Sequence, residues 1–324
     1  MRDDHLLLKT HCLEANRILL SGPSSPDGDS VGACLALCAL LEQLGCTQVD
    51  VAGDLSFRYS WLPNAARCIG NHEISTQYEM VIILDGDRHR LTQSVHDAFH
   101  HATTTAIIDH HRSTSTDGYT VALLDSKASS TCSMIFELAE AWGCQIDAQI
   151  ATNLYAGLVF DTGAFRHQNT TPETLDMAKA LMSHGIDHSL ISAKILSERR
   201  PEGVQLLSHV LQNIQFMNDR SISIGIIRQT HFHQLGCIEE DIEGIVEQLL
   251  YITGVEVAAL CIEKNSHALK VSLRSRSEIN VAALAQSIST RGGGHIRAAG
   301  ATVQQPFDSG LPMVKAKILA AFSR

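Results

Sequence analysis

The sequence feature that most constrains the fold is a short apolar run that ends in charged side chains. Residues 106–112 read AIIDHHR, so Asp109, His110 and His111 directly follow apolar and β-branched residues. Such a run is typical of a buried strand in a parallel sheet, and the carboxyl ends of such strands open into the crevice where ligands bind. We therefore expect these three side chains at the edge of a central sheet.

The same pattern occurs at three further places in the first half of the chain. Apolar residues precede acidic ones each time: ILL before Asp27 and Asp29, VIIL before Asp85 and Asp87, and GLVF before Asp161. Converging carboxylates repel one another and raise each other's pKa values unless cations lie between them. We therefore predict a site in which carboxylates and one or two imidazoles hold a pair of Mn²⁺ or Mg²⁺ ions for attack on a phosphoester.

Each motif also has an ordinary structural explanation when it is taken alone. PDGD is typical of an acidic turn, because Pro, Asp and Gly favour turns. The helix that follows PDGD also offers an N-terminus that could face a phosphate. Asp85, Asp87 and Asp161 are compatible with caps, and the DHH residues with a surface cluster. The repetition of one pattern at four places favours a shared metal site.

The order of segments predicts an α/β fold. Strand-like and helix-like segments alternate up to about residue 185, which indicates a mainly parallel sheet flanked by helices. The stretch IDAQIATNLYAGLVF is predicted to be a helix, although its last four residues also fit the pattern of an acid-tipped strand. Thr171, Pro172 and Gly185 mark the start and the end of a later helix.

Length and patterning predict two domains. At 324 residues the chain exceeds the usual size of a single domain. The alternation lapses between about residues 186 and 208, and SISIGIIR, VEVAALCIEK and ALKVSLRSR are then predicted as strands of an open sheet. We predict a metal-binding domain over residues 1–187, a helical connector over 188–207 and a smaller α/β domain over 208–324, with a cleft between the two domains.

Composition argues against several classes of protein. A net charge of −10 disfavours a protein that coats long or duplex nucleic acid, because such binding rests on many phosphate contacts. No apolar run reaches the ~18 residues that span a bilayer and no signal peptide is evident, so we expect a cytoplasmic protein without a membrane partner. The nine cysteines are scattered without a CxxC pair and are expected to be reduced. The oligomeric state is left open, with a homodimer as one alternative.

The second domain carries a candidate phosphate-binding motif. Residues 291–301 read RGGGHIRAAGA, and glycines such as Gly293 and Gly294 let backbone amides approach a phosphate closely. His295 and Arg297 would add side-chain donors. A flexible hairpin is the alternative interpretation of this motif.

Two arginines near this motif are further candidates for substrate binding. Arg274 and Arg276 alternate with serines in SLRSRS, so that both point to one face of a predicted strand. If that face borders the glycine motif, the two guanidinium groups would clamp a terminal phosphate or sugar-phosphate. A solvated strand face is the alternative.

Taken together, the motifs resemble those of the DHH superfamily of phosphoesterases. PDGDSVG, LDGD, IDHH, VFDTGAF with NTTPET following, and GGGHIRAAG occur in the order of that family and span nearly the whole chain. The last motif is similar to that of the subgroup with a DHHA-type C-terminal domain, which includes nanoRNase-type oligoribonucleases, pAp phosphatases and dinucleotide phosphodiesterases. The resemblance implies two Mn²⁺ ions, with Mg²⁺ or another divalent ion as alternatives.

The resemblance also implies roles for individual residues. Two metal sites would be formed by a joint set of ligands: Asp27, Asp29, Asp85, His110 and Asp161. Asp85 would bridge the ions, Asp27 would belong to the second site, and the other three would complete the first. His111 would contact the scissile phosphate, and His111, Asp85 and Asp161 would act in catalysis. His295 and nearby arginines would hold the substrate from the second domain.

One position departs from the family pattern. Family members usually carry a ligating histidine three residues before the proline of the first motif, where this chain has Pro23. Proline cannot ligate a metal ion. We therefore expect a second site that is weak, filled by water, or completed by another residue such as His89 or Asp87.

Three functions are compatible with these features. The leading hypothesis is a phosphoesterase that hydrolyses short oligoribonucleotides or linear dinucleotides (pApA, pGpG) to mononucleotides, and also 3′-phosphoadenosine 5′-phosphate. The first alternative is a phosphodiesterase of cyclic dinucleotides. The second alternative is a nucleotide-binding protein whose hydrolysis is impaired because Pro23 replaces the motif histidine.

Overall fold

The computed structural model of the protein describes residues 2–112 and 114–322. The chain forms two compact units, Met1–Glu198 and Arg199–Arg324. The division falls inside the predicted connector over residues 188–207. Its first helix (His188–Leu196) packs against the helix Ala148–Asp161 of the first unit, and its second helix (Pro201–Gln212) belongs to the second unit.

A six-stranded sheet forms the centre of the first unit. Its strand order is β3-β2-β1-β4-β5-β6, and every neighbouring pair is parallel. The strands are β1 (Ile18–Ser21), β2 (Val49–Ala52), β3 (Cys68–Ile69), β4 (Met80–Leu84), β5 (Thr104–Asp109) and β6 (Val121–Leu124). The helices are α1 (Arg2–Glu14), α2 (Gly28–Gln43), α3 (Gln93–His101), α4 (Thr131–Trp142), α5 (Ala148–Asp161), α6 (Pro172–Met182) and α7 (His188–Leu196).

Helices cover both faces of this sheet, because successive strand residues point to opposite sides. In β4, Ile82 and Leu84 join the large core that α2, α4 and α5 complete, whereas Val81 and Ile83 face a smaller core with Phe99 of α3. All five residues of β4 are buried. A strand that is buried on both faces has a continuous apolar sequence, and VIIL is such a run.

The topology determines where a ligand site can form. The strand order reverses at β1, which lies between β2 and β4. In open parallel sheets, ligands bind outside the carboxyl ends of the strands at such a switch point. The segments that follow β1, β4 and β5 meet there, and they carry the PDGD, DGD and DHH motifs.

One of the four predicted acid-tipped strands is wrong. GLVF before Asp161 is the last turn of helix α5, as the longer pattern predicted, and not a strand. A run of four apolar residues does not distinguish a buried strand from a buried helix, and the side chain of Asp147, which caps the start of α5, commits the segment to a helix. The PDGD segment is also helical earlier than predicted, since α2 begins at Gly28.

The second unit is a smaller α/β unit with an open, mostly antiparallel sheet. Its strand order is β11-β12-β10-β9-β8-β7, in which only the β8–β9 pair is parallel. The strands are β7 (Gln215–Met217), β8 (Ile222–Ile227), β9 (Val257–Asn265), β10 (Ala268–Ser275), β11 (Gly293–Gly294) and β12 (Ala298–Val303). The helices are α8 (Pro201–Gln212), α9 (Gln229–Leu235), α10 (Ile245–Leu250), α11 (Val281–Ile288) and α12 (Phe307–Ala320).

These observations confirm the predicted fold class: a parallel sheet flanked by helices, followed by a smaller α/β domain. Within residues 2–112 and 114–322, no helix is both long and apolar enough to span a bilayer. The nine cysteines form no disulfide bond within that part of the chain.

Candidate metal centre

Asp85 lies at the centre of the motif residues in an unusual backbone conformation. It follows β4 directly, is buried, and has a φ of 58°, in the left-handed region that non-glycine residues rarely adopt. Its N–H donates to the carbonyl of Ile108 (3.1 Å), which extends the pairing of β4 with β5. A strained, buried aspartate persists only where the surroundings hold it in place, and such residues cluster at functional sites.

Asp29 is held by the N-terminus of another helix. It lies in the first turn of α2 and is fully buried. Its two carboxylate oxygens accept the backbone N–H groups of Thr131 (2.6 Å) and Cys132 (2.9 Å), which begin α4. The hydroxyl of Thr131 also donates to Asp85 (3.3 Å). The positive end of the α4 dipole therefore stabilises the most buried carboxylate of the cluster.

Asp27 has a capping role beside its place in the cluster. Its side chain accepts the N–H groups of Asp29 and Ser30, both at 3.1 Å, and so caps α2. Desolvation and the neighbouring Asp161 carboxylate raise the pKa of Asp27, so it also lies among the mutually repelling carboxyl groups. Asp27 therefore caps a helix, as the ordinary explanation of PDGD requires, and also lies beside the other carboxylates.

The three residues of the DHH motif have different partners. Asp109 accepts hydrogen bonds from Nδ1 of His111 (2.6 Å) and from the hydroxyl of Thr114, so it orients His111. Nδ1 of His110 is 3.4 Å from the carbonyl of Ala128. Because a carbonyl only accepts, this contact places the proton of a neutral His110 on Nδ1 and leaves the Nε2 lone pair for a metal ion.

Two groups of three side chains, both within the described residues, bring candidate ligand atoms within 4.8 Å of one another: Asp29, His110 and Asp161, and Asp85, His110 and His111. Nε2 of His110 lies 3.0 Å from Asp161 Oδ2 and 3.6 Å from Asp85 Oδ1. Carboxylate oxygens with imidazole nitrogens suit Mn²⁺, and also Zn²⁺ or iron. The residues present therefore fit a divalent metal ion.

Asp87 and His89, the residues named as substitutes for a histidine at position 23, lie outside the ligand groups described above, as does Asp27. Pro23 is buried, and its ring carbons lie 3.6–3.7 Å from where a side chain on Gly86 would begin. Asp87 accepts the N–H of His89 (2.8 Å) and caps a short 3₁₀ helix. Neither Asp87 nor His89 belongs to the two ligand groups found among the described residues.

Burial and mutual repulsion raise the pKa values of Asp27, Asp29 and Asp85. Desolvation is the largest cause, and neighbouring carboxylates add to it, so the pKa of Asp29 is raised to about 7 and that of Asp85 well above its usual range. Burial acts to lower the pKa of His110, but its hydrogen bond to Asp161 and the surrounding carboxylates outweigh burial and raise it to about 9. A cation bound here would displace protons that the cluster otherwise holds.

Asn169 links the end of α5, which carries Asp161, to the segment before α4, whose first amides bind Asp29. Its Nδ2 donates to the carbonyl of Ser129 (2.8 Å), just before α4, and to the carbonyl of Asp161 (3.3 Å), at the end of α5. Its Oδ1 is buried and has no hydrogen-bond partner among the described residues. A buried unsatisfied oxygen costs about 1–3 kcal/mol, so the side chain is not optimised for stability alone.

The glycine motif of the second unit forms a β-hairpin, the alternative interpretation of its sequence. β11 pairs with β12, and His295 exchanges backbone hydrogen bonds with Ala298 across a tight turn. A Cβ on Gly292 would lie 2.1 Å from the carbonyl oxygen of Ala285, and Gly294 has a φ of 134°. Gly293, by contrast, has open space where a Cβ would lie. Packing therefore requires two of the three glycines, and Gly293 is the one that it does not require.

The predicted arginines of the second unit have partners within that unit. Arg274 donates from Nε to Glu247 (2.8 Å), and Arg276 donates to the carbonyls of Leu250 and Ile252. Nη2 of Arg297 lies 3.7 Å from Oε1 of Glu278, whereas its Nη1 is buried and has no hydrogen-bond partner in the described part of the chain. A phosphate clamp formed by these arginines stays a prediction.

Comparison with known proteins decides the family. Residues 17–158 match the DHH family, N-terminal domain, and residues 225–323 match the DHHA1 domain. The chain belongs to the DHH superfamily of phosphoesterases. The resemblance that the motifs indicated is thereby confirmed for both domains.

Individual relatives support this assignment. The chain is 29% identical over 280 residues to the bifunctional oligoribonuclease and PAP phosphatase NrnA of Thermus thermophilus, covering 86% of this chain and 82% of that protein. It is 26% identical over 306 residues to the cyclic-di-AMP phosphodiesterase GdpP of Geobacillus thermodenitrificans, covering 89% of this chain but 45% of that protein. The crystal structure of an exopolyphosphatase-related protein from Bacteroides fragilis superposes with a TM-score of 0.88 at 22% identity, over 99% of this chain and 96% of that one, which shows the shared fold.

The pKa shifts predict that the metal-free protein loses stability as pH rises from about 4 to about 9. The folded pKa values of Asp29, Asp85 and His110 lie above their unfolded values, so the folded state binds more protons over this range and deprotonation disfavours it. Saturating Mn²⁺ replaces those protons and should remove most of the loss. Thermal unfolding with chelator and with Mn²⁺ at each pH measures this, and the same pH dependence in both would contradict a metal site here.

The contacts of Asn169 predict that loss of its side chain weakens metal binding, whereas loss of the nearby cap residue Thr171 lowers stability. Asn169→Ala should weaken Mn²⁺ binding by about tenfold, because residues that orient metal ligands typically contribute that much. The matched control is Thr171→Ala, which removes the cap of α6 and should lower the melting temperature without changing Mn²⁺ affinity. Calorimetric titration and thermal unfolding of both variants test this; unchanged Mn²⁺ affinity in Asn169→Ala would refute the linking role.

Proposed function

We propose that this chain is a metal-dependent phosphoesterase that hydrolyses short oligoribonucleotides or linear dinucleotides, such as pApA and pGpG, to mononucleotides. The observation that carries this proposal is the meeting of Asp29, His110 and Asp161 beside a strained, buried Asp85. The Thermus relative, named as an oligoribonuclease and PAP phosphatase, supports short nucleotides and 3′-phosphoadenosine 5′-phosphate as substrates. The net charge of −10 also disfavours long or duplex nucleic acid.

We assign the ion, expected to be Mn²⁺, to Asp29, Asp85, His110 and Asp161. When bound, a divalent ion polarises the phosphoryl group and lowers the pKa of a coordinated water. His111 is held through Nδ1 by Asp109, so its other ring nitrogen is the one to contact a phosphate oxygen of the substrate. This arrangement gives His111 a role in positioning the scissile phosphate.

The ligand geometry favours one tight ion over two equal ones. His110 belongs to both three-residue groups, but the Nε2 lone pair of a histidine coordinates only one ion. The second site would then rest on Asp27 and the shared Asp85, without the histidine that Pro23 replaces. We therefore expect one tightly bound ion and a second that binds weakly.

We assign a phosphate of the substrate to the β11–β12 hairpin. Gly293 leaves its backbone exposed to a ligand without a packing reason, and Arg297 has a buried nitrogen without a hydrogen-bond partner in the described chain. Backbone amides and guanidinium groups are typical donors to phosphate. His295 lies in the same turn and would contribute a further donor.

A second candidate function is the hydrolysis of cyclic dinucleotides. The similarity to the Geobacillus phosphodiesterase extends over 89% of this chain and favours this alternative to a lesser degree. Parallel assays of c-di-AMP and pApA decide between the two. Nucleotide binding without turnover would instead favour a protein inactivated by Pro23, and Pro23→His should then restore hydrolysis.

The proposed function predicts that Asp85→Asn abolishes both tight Mn²⁺ binding and hydrolysis of pApA. The matched control is Asp87→Asn, two residues away, in which the amide still caps the 3₁₀ helix and activity should be retained. Mn²⁺ titration should give about one tight ion per wild-type chain, because the single Nε2 lone pair of His110 coordinates only one ion. The readouts are calorimetry and mononucleotide release from labelled pApA; failure of the wild type to hydrolyse any short phosphoester under varied metals would rule out the proposal.

The hairpin predicts an effect on substrate binding without an effect on folding. Gly293→Ala places a methyl group in open space, so the melting temperature should change little, whereas KM for pApA should rise about tenfold or more because the phosphate can no longer approach the backbone. Gly292→Ala is the contrasting variant and should destabilise the second unit. An unchanged KM in Gly293→Ala would argue against phosphate binding at this position.

A further inference from the structure

A pair of histidines on α3 forms a second set of candidate metal ligands. His96 and His100 are one helical turn apart, and their Nε2 atoms lie 3.1 Å from each other. His100 is exposed and the side chain of His96 is 44% exposed. α3 leads into the amino end of β5, whereas the carboxylate cluster lies at the carboxyl ends of the strands. The pair is therefore separate from the candidate metal centre.

The distance between the two nitrogens matches the distance expected between two histidine nitrogens bound to one metal ion. Zn²⁺ lies about 2.0–2.1 Å from histidine nitrogen, so two such ligands are about 2.9 Å apart at a right angle and about 3.4 Å apart at a tetrahedral angle. The observed 3.1 Å falls between these limits. A single N–H···N hydrogen bond between the rings would explain the same distance, and the experiment must separate the two explanations.

The packing of α3 holds the pair in this geometry. Val95, Ala98 and Phe99 bury the inner face of the helix against the sheet, so the imidazoles lie on the outer face of an anchored element. Oδ1 of Asp97 is 3.8 Å from Nδ1 of His96. That carboxylate oxygen accepts a hydrogen bond from Gln93 (2.7 Å), and Nδ1 of His96 is buried without a hydrogen-bond partner among the described residues. Nε2 is therefore the atom of His96 that a metal ion can reach together with His100.

We propose that His96 and His100 chelate one transition-metal ion, such as Zn²⁺ or Cu²⁺, whose remaining ligands are water. Two imidazoles without a carboxylate prefer these ions over Mn²⁺ and Mg²⁺, which favour oxygen ligands. The site does not depend on the proposed phosphoesterase function. Its presence would add one ion to the total zinc content of the protein without adding to the catalytic centre.

The test is a Zn²⁺ titration of the full-length, chelator-treated protein by calorimetry. His96→Ala and His100→Gln should each lose one binding event, or weaken it by at least about tenfold, and leave the other events unchanged. The matched control is His101→Ala on the same helix. His101 follows His100 directly and therefore does not share the face that carries the pair, so its loss should leave the titration as in the wild type. Superimposable titrations of the wild type and His96→Ala would overturn the proposal and leave the inter-ring hydrogen bond as the explanation.

Retention on an immobilised Zn²⁺ chelate separates this site from the candidate metal centre. A resin-bound ion reaches only exposed imidazoles, and His110 is 8% exposed. The wild type and His101→Ala should be retained, and His96→Ala and His100→Gln should elute earlier. Equal retention of all four proteins would count against the pair, whatever the state of the carboxylate cluster. Thermal unfolding of each variant checks that the fold is intact.

Discussion

The burial of several carboxylates at one edge of a parallel sheet is the constraint on which the rest of the first unit depends. Such charges are stable together only if each is hydrogen-bonded, protonated or neutralised by a cation. Asp29 meets this requirement through the first amides of α4, and Asp161 through its contact with His110. The raised pKa values of Asp29 and Asp85 show that these contacts offset the repulsion only in part. The residues present fit a divalent ion, which would neutralise the remaining charge.

The helices around the cluster are packed to hold it in place. A Cβ on Gly32 of α2 would lie 2.4 Å from the carbonyl oxygen of Asn153 in α5, and one on Gly157 would lie 2.6 Å from Asp29. Close approach of α2 and α5 therefore brings Asp29 and the end of α5 together, and glycine is the residue that permits it. Gly157, the first residue of the GLVF run, thus contributes directly to the position of the candidate ligand Asp29.

Pro23 distinguishes this chain from the pattern of its family without altering the fold. The proline packs near Gly86, and the sheet, the helices and the remaining carboxylates keep the arrangement that the motifs predicted. We expect its consequence to be confined to metal chemistry, because proline cannot ligate a metal ion and neither Asp87 nor His89 belongs to the two ligand groups found among the described residues. The first ligand group, with Asp29, His110 and Asp161, does not involve Pro23.

The sequence by itself determined the features that depend on neighbours along the chain. These are the buried strands that lead to Asp85 and Asp109 and the cap of α6 at Thr171, because strand burial and helix capping act over a few residues. The family motifs extended this to the set of carboxylates and histidines at the centre.

Only the tertiary structure decided how those residues meet. Asp29 accepts hydrogen bonds from amides 102 and 103 positions away, and Asn169 donates to a carbonyl 40 positions away. No local sequence pattern predicts either contact. The same is true of the sharing of His110 between two ligand groups and of the delivery of Asp161 by a helix instead of a strand. The physical reason is that ligand geometry depends on distances of a few ångströms between separate elements, and packing, not periodicity, sets those distances.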